Sequence, residues 1–227
     1  MILREQETSR RHLARSFVVP TWPSSRSATL VGLLFGTDSQ SRLQTRAFNK
    51  GEFPMREGDP SDYVFHVRVG GLIILSERED GSHIASEWIG SGGLAGFEDA
   101  VSEGPYRHSC RATAASVMEC LPARELRHAV RTNIAIALEV ASYLSDRVHF
   151  FAHRAETLAL EGLHERVKRT LRMLAEREIA NGETVSVNLT QGDLAALAGA
   201  SRQRVNPILT ELQRGIIKIC STETLHL

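Results

Sequence analysis

The stretch that most constrains this chain is Leu189 to Gly215, LTQGDLAALAGASRQRVNPILTELQRG, which carries two helix starts and one sharp reversal within a few turns. Thr190 is suited to open the first helix, because its hydroxyl can accept from the amide three residues on, and Asp193 at that position completes an acidic capping box. Leu194, Ala195 and Ala198 give this helix a small apolar face. Gly199 then sits where a chain leaving a helix needs positive φ without a Cβ penalty. Ser201 is the natural N-cap of a second helix, in which Val205, Ile208, Leu209 and Leu212 recur at three- and four-residue steps. Small Ala195 lets the helices cross closely, and Val205 and Ile208 lock the second against the first. The pattern predicts a helix-turn-helix.

The opposite face of the second helix presents Arg202, Gln203, Arg204 and Asn206. These side chains suit the reading of base edges: arginine forks onto the two acceptors of guanine, and Gln or Asn pairs both ways with adenine. A helical hairpin with a solvated basic face is the plainer reading. The joint placement of cap, Ala, Gly and apolar locks favours DNA.

Basic and acidic residues balance at 27 each, so no global field drives the chain onto nucleic acid, and binding must come from a locally basic face. The 227 residues and 42% hydrophobic content suffice for one large or two modest domains. No apolar run approaches a membrane span, so no membrane partner is expected. Cys110, Cys120 and Cys220 are too few and too spread for a disulfide framework, which suits a cytoplasmic location.

Residues 1–27 are polar and Arg-rich and read as a loosely ordered tail, Glu5 and Glu7 arguing against a transit peptide. Short helices are predicted at Ala28 to Phe35 and Asp38 to Leu43, then a first strand near Thr45 to Phe48. Tyr63, Phe65, Val67 and Val69 alternate with Val64, His66 and Arg68, which predicts a strand with one buried face, and Gly70-Gly71 reads as a two-residue hairpin turn into Leu72 to Ser76. Further strands are expected at Ile84 to Ile89, Ser109 to Ala114 and Ser116 to Leu121. The fold class is therefore α+β, with a jelly-roll-like β domain closing residues 28–122.

After Pro122 helical periodicity takes over. Ile134, Ala137, Ala141, Leu144, Val148, Phe151, Ala155 and Leu158 step by three and four as a heptad seam, and a stripe this narrow and long wants a second copy rather than the chain's own β domain. Residues 123–160 thus form a dimerisation helix region and residues 161–227 the DNA-binding domain. Within the latter, a helix from Leu163 to Ile179 and a strand through Val185, Val187 and Leu189 lead to the helix pair. IIKIC and TLHL close it as the hairpin of a winged helix-turn-helix.

A β domain with Gly-punctuated strands, a long seam helix and a C-terminal winged helix-turn-helix resemble the Crp/Fnr family of bacterial transcription regulators over about residues 45–227. The most specific portions are RAFNKGEFPMREGDPSDYVFHVRVGGLIIL (Arg46 to Leu75) and LTQGDLAALAGASRQRVNPIL. The resemblance implies a homodimer on an inverted-repeat site in double-stranded DNA, with a cyclic-nucleotide-binding-like β domain and contact to RNA polymerase. It places Ser201, Arg202, Gln203 and Asn206 at the DNA and Gln191 at backbone phosphate, and Arg204 joins the DNA-binding set from its place on the exposed face. Pro207 stands where the family commonly has a polar residue. Past the first turn it removes a backbone bond at a cost of about 3 kcal/mol, so the recognition helix should bend or begin late.

The candidate effector pocket is Gly92, Gly93, Arg107 and His108. Gly93 falls where cyclic-AMP-binding members carry a ribose carboxylate, and His108 follows Arg107 in place of a small hydroxyl residue. Cyclic nucleotide is therefore an alternative rather than the expected effector. The cysteine count excludes a four-Cys iron–sulfur cluster within one chain, since none precedes Cys110. His66, His83 and His108 are scattered and read as surface or capping residues rather than haem ligands, and a thiol sensor on Cys110 or Cys120 has no supporting charge pattern. No cofactor, no metal and no catalysis are expected. A cupin-like metal enzyme is the rival from another class, but His66 has no second histidine two residues away.

Overall fold

The computed structural model describes residues 25–36, 43–77, 83–178, 186–187, 189–213 and 225–226. Helix α1 (Ser25–Phe35) begins within what the sequence marks as tail, and the short helix expected at Asp38 to Leu43 lies outside the described residues except for Leu43, which precedes the first strand without being helical. A roll of antiparallel strands follows: β1 (Gln44–Phe48), β2 (Tyr63–Val69), β3 (Leu72–Glu77), β4 (His83–Ile89), β5 (Leu94–Ala95), β6 (Ser109–Ala112) and β7 (Ser116–Pro122), with helix α2 (Phe97–Ser102) after β5. They form one sheet of order β1-β7-β2-β5 and a second of order β4-β3-β6.

This topology corrects two expectations. Gly70-Gly71 is not a hairpin turn: β2 and β3 lie in different sheets, and the pair carries the chain across from one to the other. Gly70 does so at φ +88°, and a Cβ on Gly71 would stand 2.8 Å from the Trp88 indole nitrogen. Nor does β2 bury a single face, because Val64, Phe65, His66 and Val67 are all buried. Phe65 and Val67 point into the roll with Leu72, Ile74, Ile89 and Met118. Val64 packs outward under α1, against Leu30, Leu34 and Leu121. His66 lies beneath Phe35, ring centroids 5.0 Å apart, and pairs with Glu119 at 3.0 Å.

Helices α3 (Ala123–Thr132) and α4 (Ile134–Leu160) are separated by Asn133, whose side chain accepts from the amides of Ala135 at 3.0 Å and Ile136 at 3.4 Å. At 27 residues α4 runs about 40 Å. It carries two apolar stripes rather than one. Ile136, Val140, Tyr143, Arg147 and Phe150 are buried against the chain's own β domain and α1. The heptad seam runs beside this stripe and is only partly covered: Ile134 is 75% exposed and Val148 67%, Phe151 and Leu158 are each 39% exposed, and Leu144 is half-buried against the core.

Beyond Gly162, helix α5 (Leu163–Glu178) buries Val167, Leu171 and Leu174. Strand β8 (Ser186–Val187) pairs antiparallel with β9 (Leu225–His226), so the described end of the chain pairs with the strand ahead of the helix pair. Residues 214–224, including IIKIC, lie outside the described residues. Helices α6 (Gln191–Leu197) and α7 (Arg202–Gln213) complete the unit.

The core of this last unit is continuous with the β domain. Leu189, Leu194, Ala195, Leu197, Val205 and Leu209 share a cluster with Ile73, Leu75, Ala85 and Trp88 of β3 and β4. The β4-β3-β6 sheet therefore has two occupied faces, Leu72 and Ile74 turning into the roll and Ile73 and Leu75 turning toward α6.

Candidate nucleic-acid interface

The helix-turn-helix is built by local chemistry. Thr190 Oγ1 accepts from the Asp193 amide at 3.0 Å and the Asp193 carboxylate accepts from the Thr190 amide at 3.1 Å, so the capping box is complete. Gly199 adopts φ +66°, the backbone geometry that favours glycine, and a Cβ there would stand 2.7 Å from Leu158 Cδ2 on the passing α4. The Ser201 carbonyl accepts from the amides of Arg204 at 3.1 Å and Val205 at 3.2 Å, starting α7 at once.

Val205 is fully buried and Leu209 nearly so, which orients α7. Ser201, Arg202, Gln203 and Arg204 are consequently exposed together on one open surface. Asn206 is half-buried, with its Oδ1 enclosed and without a hydrogen-bond partner, and Gln191 is half-buried at the first position of α6. Pro207 is exposed inside an α7 that runs unbroken from Arg202, so the helix does not begin late. The missing amide of Pro207 falls just past the first turn, and the interruption expected there is absorbed without ending the helix.

A cavity of about 820 Å³ lies between the roll and α4. Its walls are largely apolar, including Met55, Ile74, Ile89, Leu94, Leu144 and Phe151, and its polar groups are Ser86, Glu98, Asp99, Ser102, Arg107, His108 and Arg147. Arg107 and His108 are thus brought to it. Gly92 and Gly93 are not: they fold back on β2, the Gly92 amide donating to Val67 O at 2.8 Å and Gly93 O accepting from the Val67 amide at 3.0 Å. A Cβ on Gly93 would stand 2.3 Å from Ile89 Cγ2, which leaves no room for a side chain.

Both cavity arginines are held by carboxylates. Arg147 reaches Glu87 at 2.6 Å and Glu98 at 2.5 Å, and Arg107, largely exposed, lies 3.7 Å from Asp99 and donates its backbone amide to the same carboxylate at 3.3 Å. Sequence reading missed Glu87, Glu98, Asp99 and Arg147. The available signal was Arg147 itself, a charge inside the stripe Val140, Tyr143, Arg147, Phe150, since a charge on a buried face requires a partner.

His66 is a buried histidine rather than the surface residue expected, because α1 covers that side of β2; His83 is exposed and His108 half-buried. Burial raises the thiol pKa of Cys110, and that of Cys120 to about 11, so neither is a thiolate near neutrality. Among the described residues no group of three or more His, Cys, Asp and Glu side chains is arranged to hold a metal ion, and no helix is long and apolar enough to cross a membrane.

Residues 45–133 match the cyclic nucleotide-binding domain family and residues 165–225 the Crp-like helix-turn-helix domain family. The chain is similar to the CRP-like protein Clp of Xanthomonas euvesicatoria, 24% identical over 166 residues that cover 70% of this chain and 72% of that protein. In fold it resembles FixK2 from Bradyrhizobium japonicum, at TM-score 0.71 and 18% identity over 82% of this chain and 92% of the other. It also resembles a CRP/FNR family transcriptional regulator from Thermus thermophilus, at TM-score 0.65 and 24% identity over 81% and 93%. With both domains matched in their order and joined by the long helix α4, the chain belongs to the Crp/Fnr family of transcription regulators.

Proposed function

We propose that the protein is a cytoplasmic, dimeric, sequence-specific DNA-binding regulator that acts through RNA polymerase and whose β-domain cavity has lost cyclic-nucleotide recognition. The exposed Ser201 to Arg204 surface over the buried Val205 and Leu209 ridge carries this reading. Arg202, Gln203 and Asn206 select bases, while Arg204, Ser201 and Gln191 position the helix on backbone phosphates. The enclosed Asn206 Oδ1 becomes paired when the amide turns toward an adenine edge.

The second copy covers the outward stripe of α4, where Ile134, Ala137, Ala141, Leu144, Val148, Phe151, Ala155 and Leu158 already stand on one side of a helix whose other side is satisfied within the chain. A twofold pair of α7 helices then meets two half-sites about one turn apart.

The cavity residues do not fit a cyclic nucleotide. That ligand needs a carboxylate for its ribose and an unneutralised cation for its phosphate. Position 93 has no space for the first, and Asp99 occupies the nearest candidate for the second, Arg107. Carboxylates on the same wall repel an anion.

Fluorescence anisotropy on a duplex recovered from a random library tests the function. Affinity should fall by about 10³-fold or more from 50 to 200 mM salt, as counterion release at several phosphates requires. A salt-insensitive affinity would instead identify a protein-docking module.

A further inference from the structure

The helix-turn-helix does not hang from its linker; it is seated on the β4-β3-β6 sheet. Every residue from Leu194 to Ala198 is buried, more than contact with α5 and α7 alone explains, and the additional cover is Ile73, Leu75, Ala85 and Trp88. Two arginines fasten this seat. Arg111 on β6 donates to the Asp193 Oδ1 atom, while Oδ2 of the same carboxylate holds Thr190, so the capping group of α6 is also the anchor to the β domain. The pair is largely enclosed, with side-chain exposures of 20% and 3%. Arg154 on α4 places one nitrogen, Nη2, 2.8 Å from the carbonyl of Ala85 in β4 and 2.8 Å from that of Leu197 at the end of α6. A cation at that end of a helix also meets its dipole favourably.

The covalent connection does not set this attitude by itself. Between α4 and α5 stand Glu161 in extended conformation and Gly162, around which a Cβ would touch nothing. Yet docking leaves Ser201 to Arg204 open, so a seated unit can still read DNA.

We propose that Arg111 and Arg154 are positioning residues for DNA recognition: they latch α6 to the β sheet and so fix the distance and angle at which a dimer presents its two α7 helices. What they determine is the permitted spacing between half-sites, not base choice within one. The inference rests on the DNA-binding reading above and adds to it a residue-level source of spacing selectivity.

The test is binding of the full chain to duplexes that carry the selected half-sites at the preferred spacing and at spacings one and two base pairs shorter or longer. Wild type should lose about tenfold or more off the preferred spacing, because the second half-site then cannot be engaged at the same time. Arg111→Ala and Arg154→Ala should reduce that penalty to about threefold while the base preference within each half-site stays as in wild type. Arg154→Lys should restore it, since a single ammonium can donate to both carbonyls. Circular dichroism melting checks that each variant folds. An unchanged spacing penalty in both alanine variants overturns the latch, and so does a uniform loss of affinity at every spacing, which marks a merely structural role. A wild type without any selective binding overturns the DNA-binding reading itself and the latch with it.

Discussion

Arg147 on the long helix α4 donates to the fully buried Glu87 carboxylate of β4 at 2.6 Å, joining that helix to the sheet on which the helix-turn-helix rests. Glu98 of α2 accepts from the same guanidinium at 2.5 Å, and the Phe151 ring lies 4.7 Å from its carbon. Although burial works against the charge, Glu87 and then Glu98 raise the Arg147 pKa further above its ordinary value, so this cation does not titrate. Removing it takes the guanidinium from a carboxylate that is fully buried. Arg147→Ala should cost about 3–5 kcal/mol in urea unfolding, and pairing Arg147→Leu with Glu87→Leu should recover most of the loss, because the desolvated pair is itself costly to bury. A single-variant loss below about 1 kcal/mol would mean the pair is solvated.

Val148 lies on the seam and, although it lines the β-domain cavity, remains 67% exposed. Val148→Asp should shift the sedimentation coefficient from dimer to monomer without loss of helical signal. An unchanged dimer would move the interface off this stripe.

Gly93→Glu restores the carboxylate of cyclic-AMP-binding relatives where a Cβ already collides with Ile89. The expected outcome is a loss of about 1–3 kcal/mol in stability from overpacking, with no calorimetric binding of cyclic AMP at about millimolar concentration. Saturable binding by this variant would contradict the account of the cavity.

Burial holds the His66 imidazole below its ordinary 6.5, against the opposing pull of the hydrogen-bonded Glu119. The unfolded chain therefore binds the extra proton first, so this contribution is complete above 6.5 and is lost as pH falls through the folded value. His66→Gln should accordingly show a shallower fall in stability between pH 7 and 5 than wild type. Equal slopes would contradict the assignment.

What proved legible in the sequence was what a few adjacent residues decide. The Thr190 cap, the Gly199 reversal and the Val205 and Leu209 ridge are local, and they lie in the structure as their spacing predicts. The helix α4 itself was legible from periodicity, but the stripe through Tyr143 and Arg147 that packs it on the β domain went unread because its partners, Glu87 and α1, are far away in the chain. The same distance hid the Arg111 to Asp193 pair, 82 residues apart. Strand positions could be read but not their neighbours: alternation along Tyr63 to Val69 says nothing about a helix covering Val64 and His66 from outside. The failed reading of Gly70-Gly71 has a related cause, since a glycine pair permits a sharp turn without specifying which sheet receives the next strand.

The central claim, a twofold pair of α7 helices reading bases through Arg202 and its neighbours, is tested most directly by selecting bound duplexes from a random library with wild type and Arg202→Ala in parallel. The account predicts that wild type enriches an inverted repeat with half-site centres about 34 Å apart. Arg202→Ala should enrich the same repeat with one symmetric position relaxed, at a cost of roughly 1–3 kcal/mol. Recovery of a pool without twofold symmetry, or of identical motifs from both proteins, would contradict it.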